Sequence, residues 1–193
     1  MEYTDIVNQS IRTRRSIYTG MFSGEEVDDH IISIMLENAN YAPTHKLTEP
    51  WRFTIFKGEG LNKLADFQSN LYKEVSQANG DFKEDKFIKL KEKPLTCSHI
   101  IAIGMKRHDQ VPEMEEVSAV AAAVQNMWIT ASAYKIGCYW STGGVTFYEE
   151  AKPFFNLGSD DKLMGFLFLG MPKTDSWPKA RRKPIEDKVT WVP

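Results

Sequence analysis

Apolar residues recur along this chain at helical spacing in some stretches and at every second position in others. Residues 3–11 form an amphipathic stretch that predicts a short first helix. Residues 23–26 read Ser-Gly-Glu-Glu, a capping box that predicts the start of a second helix, which must end before Pro43. Helical spacing predicts a third helix over residues 61–75 and a long, Ala-rich fourth over residues 113–136.

Four shorter segments have the properties of β-strands. Residues 51–56 alternate in polarity and lead into a glycine-containing turn. Residues 100–105 and 162–169 are continuous apolar runs with the length of buried strands, and residues 138–140 form a shorter candidate. The alternating order of helices and strands predicts an α+β, three-layer protein whose small sheet is covered by helices. No GxGxxG or GxxxxGK[ST] motif is present, which argues against a Rossmann or P-loop fold.

Length and composition narrow the classes of protein. At 193 residues, with 42% hydrophobic residues, the chain is predicted to form one globular domain over residues 1–193. Its net charge of -2 gives no reason to expect nucleic acid or an anionic membrane as a partner. No apolar leader or membrane-length apolar run is present, and Cys97 and Cys138 form no CxxC pair, so we expect a cytoplasmic protein. The histidines lack ligand partners at metal-binding spacing, and no metal is expected.

The densest cluster of cations is Arg12-Thr13-Arg14-Arg15-Ser16, at the end of the first predicted helix. An arginine donates hydrogen bonds in a fixed fork that matches a phosphate, so three arginines beside a serine suit a phosphoryl group. The alternative is a solvated basic face without a ligand.

Two segments have little periodicity. Residues 76–93 are polar and Lys-rich with scattered apolar anchors, and they are predicted to form a loop-and-helix excursion, either a lid over a site or a solvated surface helix. The last two dozen residues contain four prolines together with Trp177 and Trp191. Such a tail is predicted to be extended and to lie against its own domain or a second subunit.

With these segments in order, the sequence resembles the FMN-dependent nitroreductase family over essentially its whole length. Arg14-Arg15-Ser16 is similar to the family's Arg-(Arg/His)-Ser element at the flavin. The other matches are the loop at residues 42–53, the turn at residues 140–145 and Arg181-Arg182-Lys183-Pro184 near the C-terminus. The His45-Lys46 pair resembles a compact, single-domain subgroup of the family.

The resemblance implies a nitroreductase-like three-layer fold with a small, mixed, mostly antiparallel sheet and an extended C-terminal arm. It implies a homodimer with FMN at the interface, and a ping-pong oxidoreductase that uses NAD(P)H to reduce nitroaromatics, quinones or similar electron-poor small molecules. Metal and catalytic side chains are not required, because the flavin N5 carries the hydride. The resemblance assigns cofactor contacts to Arg14, Arg15, Ser16, His45, Trp140, Ser141, Thr142, Gly143, Gly144, Arg181 and Arg182.

Roles within the predicted site follow from flavin chemistry. Hydride accepted at N5 leaves negative charge on the N1 and C2-carbonyl edge of the ring, which calls for a cation or N–H donors there. The family pattern gives this role to Arg15 or Lys46, and gives N5 to the backbone N–H groups of Gly143 or Gly144. His45 is predicted to contact the flavin, to donate a proton to substrate or only to brace its loop.

The loop at residues 42–53 departs from the common family sequence. Many nitroreductases have Ser/Thr-Asn-Ser-Gln-Pro-Trp, whereas here Leu47, Thr48 and Glu49 precede Pro50-Trp51. The lost asparagine contact changes the expected substrate preference more than it changes FMN binding. Two alternative functions stay open at this point: different chemistry on reduced FMN, such as dehalogenation or flavin cleavage, and flavin binding without turnover.

Overall fold

The computed structural model describes residues 2–193 as five α-helices and four β-strands, joined by short 3₁₀ turns. The helices are α1 (Tyr3–Thr13), α2 (Asp29–Asn40), α3 (Glu59–Asn79), α4 (Glu84–Glu92) and α5 (Glu113–Ala133). The strands are β1 (Trp51–Lys57), β2 (His99–Met105), β3 (Gly137–Ser141) and β4 (Lys162–Gly170).

The four strands form one sheet in the order β1-β2-β4-β3. All three strand pairings are antiparallel, so the described chain does not contain the parallel part of the expected mixed sheet. β3 lies at one edge, and the chain that follows α1 runs beside it, where the Ile17 N–H donates to the Cys138 carbonyl at 3.0 Å. This contact places the end of α1 next to β3.

Helices cover both faces of the sheet, as the α+β prediction requires. Successive residues of a strand point to opposite faces, so Ile101 and Leu167 pack with α2 and α5, while Ile100 and Phe166 pack on the side of α3. The first face also buries Ile103, Leu169, Met35, Ala39, Val120, Val124 and Met127, and the second buries Ala102, Phe168, Leu61, Leu64, Ala151 and Phe155.

Two predicted helix boundaries are wrong for local reasons. The second helix begins at Asp29, where the Asp28 carboxylate accepts from the His30 N–H at 2.8 Å. The Ser23 hydroxyl instead accepts from the Glu25 N–H at 3.2 Å and closes a turn outside the helix. The last helix ends at Ala133 rather than near residue 136, because Lys135 adopts a left-handed conformation with φ of 58°.

The C-terminal segment is extended, as predicted. It leaves the sheet through a bridge between Phe22 and Pro172, and Trp177 packs against the core on the α3 side. Beyond this point the apolar side chains are exposed, including Ile185, Trp191 and Val192. Across the part of the chain that is described, none of the helices combines the length and apolar character that a membrane crossing needs.

Candidate functional site

Arg14 is a partly buried cation that forms no ion pair with a carboxylate of residues 2–193. Its guanidinium carbon lies 4.3 Å from the centre of the Trp128 ring on α5. Among residues 2–193, its Nη1 is the one buried side-chain nitrogen or oxygen atom that has no hydrogen-bond partner. Burial lowers the pKa of Arg14, and the charges of Arg182 and Arg15 lower it further. A bound anion would satisfy the free donor and offset the clustered positive charge.

Arg15 connects the two ends of the chain. Its Nε donates to the Pro178 carbonyl at 2.8 Å, and its Nη1 donates to the carbonyls of Arg12 at 2.6 Å and Arg14 at 2.8 Å. The bond to Pro178 holds the C-terminal segment beside the end of α1. The arginine cluster at residues 12–15 and the basic segment at residues 181–184 are therefore brought together, and exposed Arg182 is close enough to Arg14 to lower its pKa.

Trp128 joins this arginine cluster to the end of β3. Its indole Nε1 donates to the Arg15 carbonyl at 3.1 Å while its ring stacks on Arg14. Ser16 is half-buried in the same segment. A cavity of about 580 Å³ begins at Trp128 and is lined by Tyr139, Trp140, Ser141, Thr142 and Gly143. Sequence reasoning missed Trp128, although it is the one tryptophan in an Ala-rich helix.

The turn after β3 is held by specific contacts. Trp140 Nε1 donates to the Met164 carbonyl at 3.0 Å, and the Thr146 hydroxyl donates to the Gly143 carbonyl at 2.7 Å. Gly144 has φ of 71°, and a Cβ built there would lie 2.9 Å from Gln68 Oε1 and 3.0 Å from Leu90 Cδ2. The excursion that contains α4 therefore covers this turn closely.

Gly165 is a second missed residue that shapes the turn. It has φ of 111°, and a Cβ there would lie 2.3 Å from the Ser141 carbonyl oxygen. Only glycine lets β4 approach the end of β3 so closely. A glycine inside an otherwise apolar strand was the available sequence signal.

Lys93 is a cation beside the same turn, and the sequence placed it in the Lys-rich excursion at residues 76–93 without a role of its own. Its Nζ lies 4.2 Å from the Phe168 ring centre and 5.0 Å from that of Tyr139. Burial lowers the pKa of Lys93, and within residues 2–193 no carboxylate forms an ion pair with it. Lys93 lines a cavity of about 200 Å³ together with Ser141, Gly143 and Gly144.

His45 and Lys46 lie elsewhere in the chain. His45 Nδ1 makes a hydrogen-bond contact with the Glu115 carboxylate in the first turn of α5, and Lys46 Nζ donates to the Gln110 carbonyl at 2.9 Å. Glu115 and Trp128 are separated along α5 by about 20 Å, from a rise of 1.5 Å per residue. A single chain therefore does not bring the His45 loop to the arginine cluster.

Comparison with known proteins identifies the fold family. The profile described as "Nitroreductase family" matches residues 11–171. The chain belongs to the nitroreductase family. Escherichia coli K12 "Putative NAD(P)H nitroreductase YdjA" is 32% identical over 135 residues, covering 68% of this chain and 70% of that protein. Bacillus subtilis "Putative NAD(P)H nitroreductase YfhC" is 27% identical over 192 residues, covering 96% of this chain and 93% of that protein.

Solved structures agree with this nitroreductase assignment. The nitroreductase-like family protein from Bacillus cereus superposes with a TM-score of 0.79 at 27% identity, covering 100% of this chain and 98% of that one. The FMN-dependent nitroreductase NfnB from Mycobacterium smegmatis, in complex with NADPH, gives a TM-score of 0.76 at 13% identity, with 100% of both chains covered, and it supports the fold alone. The general activity of this nitroreductase-family chain is that of a flavin-dependent oxidoreductase.

Proposed function

We propose that this nitroreductase-family protein binds FMN along the path from Arg14 to the β3 turn, takes hydride from NAD(P)H and reduces nitroaromatics, quinones or similar electron-poor molecules by a ping-pong mechanism. The observation that carries the proposal is the unpaired, buried Nη1 of Arg14 beside a cavity that leads to the β3 turn. The names of the relatives, which include NAD(P)H nitroreductases, support the same donor and acceptor classes.

The phosphate end of FMN fits the arginine cluster. A phosphate monoester carries nearly two negative charges at neutral pH, which requires more than one cation. Arg14 supplies a free donor, and Arg182 supplies a second charge close to it. Arg15 already donates to three carbonyls, so its role in the proposal is to hold the C-terminal segment in place.

The ring end of FMN fits the turn after β3. When bound, the flavin supplies hydride acceptance and donation at N5. Residues 140–143 line the cavity of about 580 Å³ that begins at Trp128, and Trp140 is fixed by its bond to the Met164 carbonyl. Lys93 replaces Arg15 and Lys46 as our candidate for the charged ring edge, since it is the half-buried cation beside this turn. Its ammonium group would stabilise negative charge on the N1 and C2-carbonyl edge.

A homodimer would complete the site. The outer face of α1 leaves Tyr3, Ile6 and Ile11 exposed, although these residues are apolar. In the proposed homodimer the loop at residues 42–53 acts at the flavin of the other subunit, since within one chain Glu115, which His45 contacts, lies about 20 Å along α5 from Trp128.

Initial-rate kinetics test the proposed function. NADPH or NADH oxidation by the FMN-loaded protein is measured at several fixed concentrations of 4-nitrobenzyl alcohol or menadione. Parallel double-reciprocal lines and nitro-group or quinone reduction products are expected. Absence of NAD(P)H oxidation would favour flavin binding without turnover, and loss of FMN itself during the reaction would favour flavin cleavage.

A further inference from the structure

One side of α4, together with the residue that follows it, places three lysines along a cavity, with Lys86 Nζ 4.4 Å from the ring centre of Tyr72 on α3. Lys86, Lys89 and Lys93 are separated by three and four residues, which puts them on one side of the helix. All three line the cavity of about 200 Å³ beside the β3 turn. None of them donates a side-chain hydrogen bond or forms an ion pair with any residue between positions 2 and 193.

A neutral polar side chain also lines this cavity. Gln68 on α3 is 3% exposed, and its Oε1 is so near the β3 turn that a Cβ built at Gly144 would lie 2.9 Å from it. Its amide can hydrogen-bond a polar ligand that enters the cavity. Phe166 and Phe168 add an apolar side to the lining, which suits an aromatic group.

We infer that this lysine cavity, defined by Gln68, Lys86, Lys89 and Lys93, selects aromatic electron acceptors that carry an anionic group such as a carboxylate or sulfonate. The inference rests on the proposed function, which assigns Lys93 to the flavin edge. Lys86 and Lys89 are exposed and line the cavity, and the inference assigns the acceptor's anion to these two lysines.

The cavity size favours the acceptor over the nicotinamide donor as the anionic ligand. A volume of about 200 Å³ is below the range of about 300–1,000 Å³ that holds drug-sized ligands. A single substituted ring fits such a space, whereas a dinucleotide diphosphate does not. The anionic phosphate of FMN is already assigned to the arginine cluster at the other end of the proposed site.

The test compares two acceptors of nearly equal shape, 4-nitrobenzoate and 4-nitrobenzyl alcohol, on the holoenzyme. In the double variant Lys86→Gln/Lys89→Gln we expect the KM for 4-nitrobenzoate to rise about five- to twenty-fold, while the KM for 4-nitrobenzyl alcohol changes less than about two-fold. Lys91→Gln is the matched control, because Lys91 is exposed on α4 outside the cavity. Raising the salt concentration should weaken only the 4-nitrobenzoate preference.

A binding measurement keeps the inference independent of turnover. Benzoate is titrated into the oxidised holoenzyme while the flavin absorbance is followed, with benzyl alcohol as the neutral comparison. Tighter binding of benzoate, lost in the double variant and kept in Lys91→Gln, is the expected result. The inference would be overturned if the two probes bound equally, if the double variant affected both acceptors equally, or if it changed only the KM for NADPH. Flavin reduction by NADPH would still uphold the proposed function in each of these cases.

Discussion

The guanidinium group of Arg14 stacks on the indole of Trp128, with 4.3 Å between the guanidinium carbon and the ring centre. The contact joins the end of α1 to the C-terminal half of α5, although the two residues are 114 positions apart in the sequence (128 minus 14). It fixes the direction of a charged group whose Nη1 has no protein partner. A preoriented, unsatisfied cation of this kind loses little conformational entropy when an anion binds.

Replacing Arg14 tests the phosphate assignment. In Arg14→Met we expect the Kd for FMN to rise about 10- to 100-fold, because a hydrogen bond to a charged group is worth about 1.5–3 kcal/mol. The apoprotein should keep its stability within about 1 kcal/mol, since the lost stacking on Trp128 is offset by relief of burial and of repulsion from Arg182 and Arg15. FMN fluorescence titration and urea unfolding of the apoprotein give the two quantities.

Arg12→Met is the control for this variant. Arg12 is exposed, and its carbonyl, which remains in the variant, makes the contact with Arg15. Its Kd for FMN should change less than about three-fold. Equal losses in the two variants would mean that the cluster acts only as a diffuse basic surface.

Replacing Lys93 tests the charged ring edge. In Lys93→Met the midpoint potential of bound FMN should fall by about 30 mV, equivalent to about 1.4 kcal/mol for a two-electron couple. The reason is that the reduced flavin loses a half-buried cation, while the oxidised flavin is neutral at that edge. Spectroelectrochemical titration measures the potential, and Lys93→Arg should restore most of it. An unchanged midpoint potential in Lys93→Met would mean that a group other than Lys93 stabilises the charged edge of the flavin ring.

Gly165 is predicted to control the shape of the β3 turn. Gly165→Ala should lower the free energy of unfolding by about 3 kcal/mol and reduce FMN content, because the new Cβ would meet the Ser141 carbonyl at 2.3 Å. Gly158→Ala is the matched control, since a Cβ there has its nearest neighbour at 3.6 Å. Thermal unfolding and the ratio of flavin to protein absorbance distinguish the two. Similar unfolding temperatures and flavin contents in the two variants would show that the β3 turn tolerates a Cβ at position 165.

A buried ion pair at the start of α5 is expected to make stability depend on pH. Burial raises the pKa of Glu116, but hydrogen bonds from His108 and Arg107 outweigh it and hold the pKa below its usual range. A depressed carboxyl pKa contributes stability above the ordinary glutamate value of about 4.3, and this contribution is lost as the pH falls through that value toward the folded-state pKa.

Glu116→Gln should therefore be less stable than the wild type at pH 7 and should lose less stability between pH 7 and pH 4. Urea unfolding at the two pH values measures both effects. The variant should keep part of the pH dependence, because Asp161 also has a lowered pKa, for which hydrogen bonds from the Arg107 and Gly158 N–H groups outweigh burial. If the free energy of unfolding of Glu116→Gln depended on pH as that of the wild type does, Glu116 would not be a source of the pH dependence.

The fold was largely predictable because its signals are local. The alternation in β1 and the apolar runs of β2 and β4 predicted buried strands at nearly the observed bounds. The prediction failed at the start of α2, where Ser23 and Asp28 are both residues that can cap a helix and Asp28 is the one that does. The motif alone does not show that Val27, between them, is buried in the core and donates its N–H to the Ser98 hydroxyl at 2.7 Å, a contact 71 positions away in the sequence.

The motifs of the proposed site could be picked out from the sequence, whereas the residues that support them could not. The arginines at both ends of the chain and the glycine turn were recognised from the resemblance. Trp128 and Lys93 were missed because their roles arise from contacts across long sequence separations, with Arg14 and with Phe168. The separation of His45 from the arginine cluster likewise depends on the position of its loop beside the start of α5.

The central claim is that this chain holds a flavin that NAD(P)H reduces, and the visible absorbance spectrum of the purified protein tests it most directly. The spectrum is recorded after addition of FMN and removal of the excess, and again after anaerobic addition of NADPH or NADH. We expect flavin bands that bleach on addition of the nicotinamide. A protein that retains no FMN, or bands that persist with both nicotinamides, would contradict it.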